Sequence, residues 1–141
     1  MNITACLRSP RETMCGWAHL PRYIDKIRLH LAGKLPPDYE ELFGDQSDLR
    51  WLEAAGVTHE QMIEVVRGTL TDGQVYDWVR THVHRTDEDK ARAADAILRY
   101  PLPGDDTGRE RFEKRKQEYG LSSRAEIRTR ADLIDADEGR L

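Results

Sequence analysis

One predicted helix, over residues 20–33, limits the folds open to this chain more than any other stretch. Pro21 suits a first helical turn because its missing N–H would have no partner there. Gly33 suits the left-handed position that follows a last turn. Apolar side chains recur at helical spacing along one face, at Leu20, Ile24, Ile27 and Leu31. Because Leu29 falls on the opposite side, we expect this helix to be packed on more than one side.

Start and stop signals for helices recur along the rest of the chain and predict an all-α fold. Two capping boxes open helices at Thr58 and Thr71, each followed three residues later by a glutamine that can bond back. Thr86 can cap a third helix, which Pro101 stops. Three further helices are predicted, and the first residue of each is left open: one starts at Asp45 or Ser47 and ends at Ala55, one starts at Asp105, Asp106 or Thr107 and ends at Tyr119, and one starts at Ser122 or Ser123 and runs through Ile134. We expect a single compact domain of six or seven helices with short loops.

The remaining segments carry weaker signals. Residues 1–15 are predicted to form an N-terminal arm, and a short helix with a bend near Gly16 or Pro21 can join it to the helix at 20–33. Pro36 and Pro37 predict an irregular connector after that helix, and residues 135–141 form an acidic tail. Throughout the chain, apolar residues recur every three or four positions, as in helices, rather than at every second position, as in strands. No strand is therefore predicted.

Composition excludes several classes of protein. A net charge of −4 over 141 residues is unlike the basic balance typical of nucleic-acid binders, so no nucleic-acid partner is predicted. No apolar run reaches the length of a membrane span, and the N-terminus lacks the order of a signal peptide. These features predict a cytoplasmic protein without a membrane partner. Cys6 and Cys15 lack C-x-x-C spacing, and we expect both to be free thiols in the reducing cytoplasm.

Familiar catalytic and cofactor motifs are absent from the sequence. The chain has no phosphate-binding glycine loop, no dinucleotide fingerprint and no G-x-S-x-G nucleophile elbow. Its five histidines do not form H-E-x-x-H, and His82 and His84 diverge if they lie on a helix. We therefore predict neither a metal site nor a cofactor, and the sequence leaves open whether the protein is an enzyme.

The charged residues of the first helix are ordered. Arg22, Lys26 and His30 form one basic line, and like charges at this spacing repel, so acidic partners are expected. The basic residues either reach carboxylates of neighbouring helices or hold an anionic ligand. Asp132 and Asp135 share one face of the last helix and can act as counter-charges or, if one is desolvated, as an acid–base pair. We expect this helix to pack beside the first and to neutralise its basic residues.

Two functions of different classes follow from these charges. The first is a small soluble protein, an enzyme or a binding module, that holds a small anionic metabolite in a charged pocket. The alternative is a non-catalytic protein-interaction or scaffold module in which the same charges are structural ion pairs. A concave pocket would favour the first function, and a closed core with these residues paired would favour the second. The candidate ligand-binding residues are Arg8, Arg22, Asp25, Lys26, Arg28, Asp132 and Asp135.

Three segments, in this order and spacing, carry a resemblance to a known family. They are Leu-Arg-Ser-Pro-Arg-Glu at 7–12, the helix at 20–33, and Asp-Leu-Ile-Asp-x-Asp-Glu-Gly-Arg at 132–140. Together they resemble the small bacterial proteins catalogued as domain of unknown function 5069. The resemblance implies one single-domain unit but no established activity, cofactor or catalytic residue. The family tends to have aromatic residues just before the last segment, where this chain has Arg130 and Ala131.

Overall fold

The computed structural model describes residues 7–141, so the predictions for Cys6 and for the start of the N-terminal arm lie outside the described residues. A short antiparallel hairpin precedes eight helices in this part of the chain. The strands are β1 (Thr13–Met14) and β2 (Trp17–Ala18), and the helices are α1 (Leu20–Leu31), α2 (Pro37–Glu40), α3 (Ser47–Ala55), α4 (His59–Arg67), α5 (Asp72–His82), α6 (Asp87–Leu98), α7 (Asp106–Glu118) and α8 (Arg130–Asp137). The predicted helical fold class is confirmed. No helix within 7–141 is long and apolar enough to cross a membrane.

Helix α1 lies in the core as predicted. Pro21 stands in its first turn, and Gly33 adopts a left-handed conformation just after its end, with φ 70°. Ile24 and Ile27 are completely buried, and α1 packs against α3, α4 and the hairpin. Leu29, on the opposite side, packs against a second apolar cluster. Packing on more than one side is therefore confirmed.

The main core is built around three aromatic side chains from different elements. The ring centroid of Trp51 lies 5.8 Å from that of Trp17 and 5.9 Å from that of Tyr23. Helix α6 packs on α3 and on β2 and covers this cluster. A separate cluster of Phe112, Ile127 and other apolar residues joins α7 to α8. Helix α8 also packs against α6.

The predicted capping boxes are confirmed. The hydroxyls of Thr58 and Thr71 each accept from the backbone N–H three residues later, and the glutamine at that position bonds back. Thr86 caps α6 in the same way, with Asp89 in place of a glutamine. Each box satisfies two backbone groups that the helix would otherwise leave unpaired. The first residue of each of these three helices can therefore be predicted from the local sequence.

The prediction that the chain has no strand is wrong. Thr13 and Met14 pair with Ala18 and Trp17 across a two-residue turn. Cys15 and Gly16 form that turn with φ of 54° and 80°, the left-handed pair that a tight hairpin requires. Two-residue strands are too short to show an alternating pattern, so periodicity could not reveal them. Cys15, in the turn, is a free thiol.

Two other segments differ from the prediction. Pro37 begins the single-turn helix α2 rather than an irregular connector, because a proline fits the first position of a helix. The last helix begins at Arg130 rather than near Ser123, with Thr129 and Asp132 as its capping box. The preceding residues 121–129 form turns, and the Lys116 ammonium donates to the Ile127 carbonyl at 3.0 Å within them. Residues 135–137, predicted as part of the tail, belong to α8.

Candidate functional site

The N-terminal arm is attached to α1 and α5 by ion pairs of Arg8. Its guanidinium donates to Asp25 of α1 at 2.9 Å and to Asp72 of α5 at 2.8 Å. Arg28 lies 3.7 Å from the same Asp72. Asp25, which its spacing could pair with Arg28, instead accepts from both the side chain and the backbone N–H of Arg8. These four residues form one partly exposed network.

The two predicted carboxylates of α8 bind the N-terminal arm. Arg11 donates to Asp132 at 2.6 Å and also donates to Asp135. Asp135 further accepts from the Ser9 hydroxyl at 3.1 Å and from Arg140 at 2.7 Å. The expected pairing of Asp132 and Asp135 with the basic residues of α1 is therefore wrong in its partners.

The residue that follows α8, Glu138, nevertheless forms an ion pair with α1. Glu138 lies three residues after Asp135 and accepts from both terminal nitrogens of Arg22, at 2.7 and 2.8 Å. The hydroxyl of Tyr39 donates to the same carboxylate at 3.0 Å. Arg22 and Glu138 are almost completely buried. The segments that carry the family resemblance are thus held together by their own charged residues.

Lys26 of α1 finds its partner in α3. Its ammonium donates to Asp48 at 2.7 Å, and the other carboxylate oxygen of Asp48 lies 2.6 Å from Nε2 of His19. Burial acts to raise the pKa of Asp48, but the Lys26 charge and the His19 hydrogen bond outweigh it and hold that pKa below its usual range. Burial lowers the pKa of Lys26, and the charge of Asp48 opposes this change.

His19 is held in one tautomer. Because the Asp48 carboxylate can only accept, Nε2 of His19 must carry the proton that lies between them. Burial lowers the pKa of His19, so the ring is neutral at neutral pH and Nδ1 keeps its lone pair. Within the described residues, this buried Nδ1 has no hydrogen-bond partner. The residue also has a left-handed backbone, with φ 74°, which is uncommon outside glycine.

A small cavity, the inner cavity, lies between α1, the start of α3 and α8. It measures about 50 Å³, which is room for roughly three to five waters. Its lining is mixed in polarity and includes two tyrosines, Tyr39 and Tyr119. The full lining is His19, Arg22, Lys26, Asp38, Tyr39, Leu42, Asp45, Gln46, Ser47, Tyr119, Arg130, Ile134, Asp137 and Glu138.

Most charges of the inner cavity are already compensated. Arg22 is paired with Glu138, and Lys26 is paired with Asp48. Burial raises the pKa of Asp137, and the other two acidic residues of the lining are exposed. Two of the seven predicted ligand-binding residues, Arg22 and Lys26, line this cavity. The other five are not among its lining residues, and their role in ligand binding stays a prediction; they are Arg8, Asp25, Arg28, Asp132 and Asp135.

Arg130, at the start of α8, has no such compensation. No carboxylate within residues 7–141 forms an ion pair with its guanidinium, and its buried Nε lacks a hydrogen-bond partner. Burial lowers the pKa of Arg130, and the nearby charges of Arg115, Arg22 and Arg50 lower it further. Arg50 also lacks a carboxylate in the described part of the chain, and its guanidinium lies 4.1 Å above the ring of Tyr100.

A second concavity, the outer groove, adjoins the inner cavity because Arg130 and Gln46 line both. It measures about 220 Å³. Its only acidic side chain, Glu118, lies 3.6 Å from Arg115, so the groove carries a clear excess of positive charge. Its lining is Gln46, Tyr100, Arg111, Phe112, Lys114, Arg115, Glu118 and Arg130.

Sequence reasoning missed the residues that define this site. His19 and Asp48 lie 29 positions apart and belong to no local motif, so only the fold brings them together. In the sequence, Arg130 stands out only because it lies where the family tends to have aromatic residues. A local count of charge would have pointed to the groove, since residues 109–130 contain eight basic and four acidic residues.

Residues 7–141 contain no group of three or more His, Cys, Asp or Glu side chains placed to hold a metal ion.

Comparison with known proteins gives a family match. No curated protein sequence is significantly similar to this chain. A family model described as "Domain of unknown function (DUF5069)" matches residues 4–140. That match spans the three segments that bear the resemblance as well as His19, Asp48 and Arg130. The chain therefore belongs to the DUF5069 family, with which it shares nearly its whole length.

Proposed function

We propose that this protein binds a small anionic ligand at Arg130, where the outer groove meets the inner cavity. One observation carries the proposal: a guanidinium with a buried Nε has no carboxylate partner among the described residues. Taking a cation out of water without a partner is unfavourable, and a bound anion would supply that partner. An arginine is well suited to this role because its planar donors match carboxylate and phosphate oxygens two at a time.

The dimensions support a ligand of metabolite size. The outer groove, at about 220 Å³, is smaller than the roughly 300–1,000 Å³ of sites that hold drug-sized molecules. Arg111 and Lys114 add positive charge along the groove without a carboxylate partner of their own in the described region. Phosphate groups and short carboxylic acids match both the volume and the charge. We also propose that the protein is bacterial and cytoplasmic, and that it has no nucleic-acid partner.

The alternative, an interaction or scaffold module, has support in another part of the molecule. Arg8 and Arg22 are paired with carboxylates, and Asp132 and Asp135 are paired with arginines. Such pairs fix geometry more than they add stability. We therefore assign a structural role to this network and a ligand-binding role to Arg130, so the two functions first considered apply to different parts of the charged cluster.

A thermal-shift screen with phosphate and short carboxylates tests the proposal. A ligand that binds only the folded state raises the melting temperature by mass action. Arg130→Gln should abolish this rise because it removes the cation. Arg128→Gln is a matched control, since Arg128 is exposed two residues away, and it should keep the full response. A rise of equal size in Arg130→Gln and the native protein would refute the site.

A further inference from the structure

His19, whose Nδ1 acceptor has no partner among the described residues, is one of the residues that line the same site. The ring lines the inner cavity and is fully buried, and the bond to Asp48 leaves Nδ1 as a lone-pair acceptor. Buried acceptors are nearly always hydrogen-bonded in folded proteins. An acceptor without a donor beside a cavity therefore indicates that something from the cavity supplies one.

The charged groups around His19 do not supply that donor. Asp48 accepts from the ring and has no proton to give. Lys26 donates to Asp48, and Arg22 donates to Glu138 and to the Arg8 carbonyl. None of these three groups bonds to Nδ1. Since residues 7–141 supply no donor, we assign the donor to a molecule inside the cavity, either a water or part of a ligand.

We infer that the ligand is an oxyanion that also bears a hydroxyl group, and that this hydroxyl donates to Nδ1 of His19 while Arg130 binds the anionic end. The inference rests on the proposed function, since it requires the anion at Arg130. Arg130 and His19 both line the inner cavity, which is so small that a group of a few atoms fills it. Hydroxy acids and hydroxyl-bearing phosphates share this chemistry.

The backbone of the cavity wall supports a functional role for His19. His19 and Gln46 both line the cavity, and both have positive φ, 74° and 51°. Such conformations are strained in residues other than glycine and cluster at ligand sites, where the surrounding structure holds them in place. The fold thus keeps the imidazole in this wall at some expense in backbone strain.

Glycolate and acetate provide the test because they differ by one hydroxyl. Both are titrated into the native full-length protein, and the dissociation constants are measured together with the ¹⁵N resonance of His19 Nδ1. Glycolate should bind roughly tenfold more tightly, as expected for one added hydrogen bond. It should also shift the Nδ1 resonance in the direction of an accepted hydrogen bond, whereas acetate should leave that resonance nearly unchanged.

The outcomes separate this inference from the proposed function. If both acids bind equally and Nδ1 does not respond, a cavity water fills the acceptor, so the hydroxyl inference is overturned while the anion site stands. If neither acid binds, the hydroxyl inference is overturned, and the thermal-shift response to phosphate decides the anion site separately. His19→Asn adds a second arm because asparagine tolerates left-handed backbone. In that variant the ratio between the dissociation constants of acetate and glycolate should fall from about ten to about one. The native-protein titration decides the matter even where the variant does not fold.

Discussion

At the residue scale, Asp48 is a completely buried charge, whereas Arg130 is a half-buried one. Asp48 is completely buried and accepts from Lys26, from His19 and from the backbone N–H of Gly44. Arg130 forms no ion pair with a carboxylate of residues 7–141. A charge with several partners contributes to the fold, whereas one without a partner favours binding of an opposite charge. We therefore expect the two residues to respond oppositely to substitution.

The Asp48→Asn variant should lose stability. The change leaves the Lys26 ammonium buried without its counter-charge, and breaking a buried pair in this way costs about 3–5 kcal/mol. Chemical denaturation of the folded protein measures the loss. Asp77→Asn is the matched control, because Asp77 forms an exposed pair with Arg80 and should change stability by less than about 1 kcal/mol. Similar small losses in both variants would contradict the structural role of Asp48.

The contribution of Asp48 should also depend on pH. Its pKa is lower in the folded protein than the unfolded value of about 3.9, so unfolding takes up a proton in acid. The stability it provides is complete above that unfolded value and falls as the pH drops below it. The difference in unfolding free energy between native protein and Asp48→Asn should therefore be constant from about pH 5 to 7 and shrink toward pH 3. A difference that grows in acid would contradict this account.

At the element scale, the sequence predicts what local rules control and misses what tertiary contacts decide. The starts of α4, α5 and α6 follow from their threonine caps, which satisfy backbone groups within a few residues. The start of α8 was missed, although Thr129 caps it in the same way, because the predicted helix was begun too early. The hairpin was missed because its strands are too short to have a pattern. Ion-pair partners lie up to 124 residues apart and cannot be read from spacing.

Helix α1 offers a graded test of packing. Ile27 is completely buried, so Ile27→Ala should cost roughly 2–5 kcal/mol through lost burial and an added cavity. Leu31, on the same stripe, is only half-buried, so Leu31→Ala should cost clearly less. Urea denaturation of both variants gives the comparison. Equal losses would show that the end of α1 is packed as tightly as its middle.

At the scale of the whole molecule, charge is distributed unevenly. The chain has a net charge of −4, yet residues 109–130 contain twice as many basic as acidic residues and supply most of the outer groove. Such local excess attracts anions even when the total charge repels them. The total charge and the pattern of the first helix point instead to Arg22 and Lys26, which line the inner cavity but already have partners. The outer groove could not be predicted from the sequence, because its lining residues come together only when the chain folds.

The central claim is that Arg130 is kept for a ligand rather than for the fold, and unfolding free energies with and without phosphate test it most directly. Without phosphate, Arg130→Gln should be as stable as the native protein within about 0.5 kcal/mol, or more stable, because an uncompensated charge is removed. With phosphate at about 100 times its dissociation constant, the native protein should gain about 2.7 kcal/mol and the variant nothing. A loss of more than about 2 kcal/mol in the variant without phosphate, or an equal gain in both proteins with it, would contradict the claim.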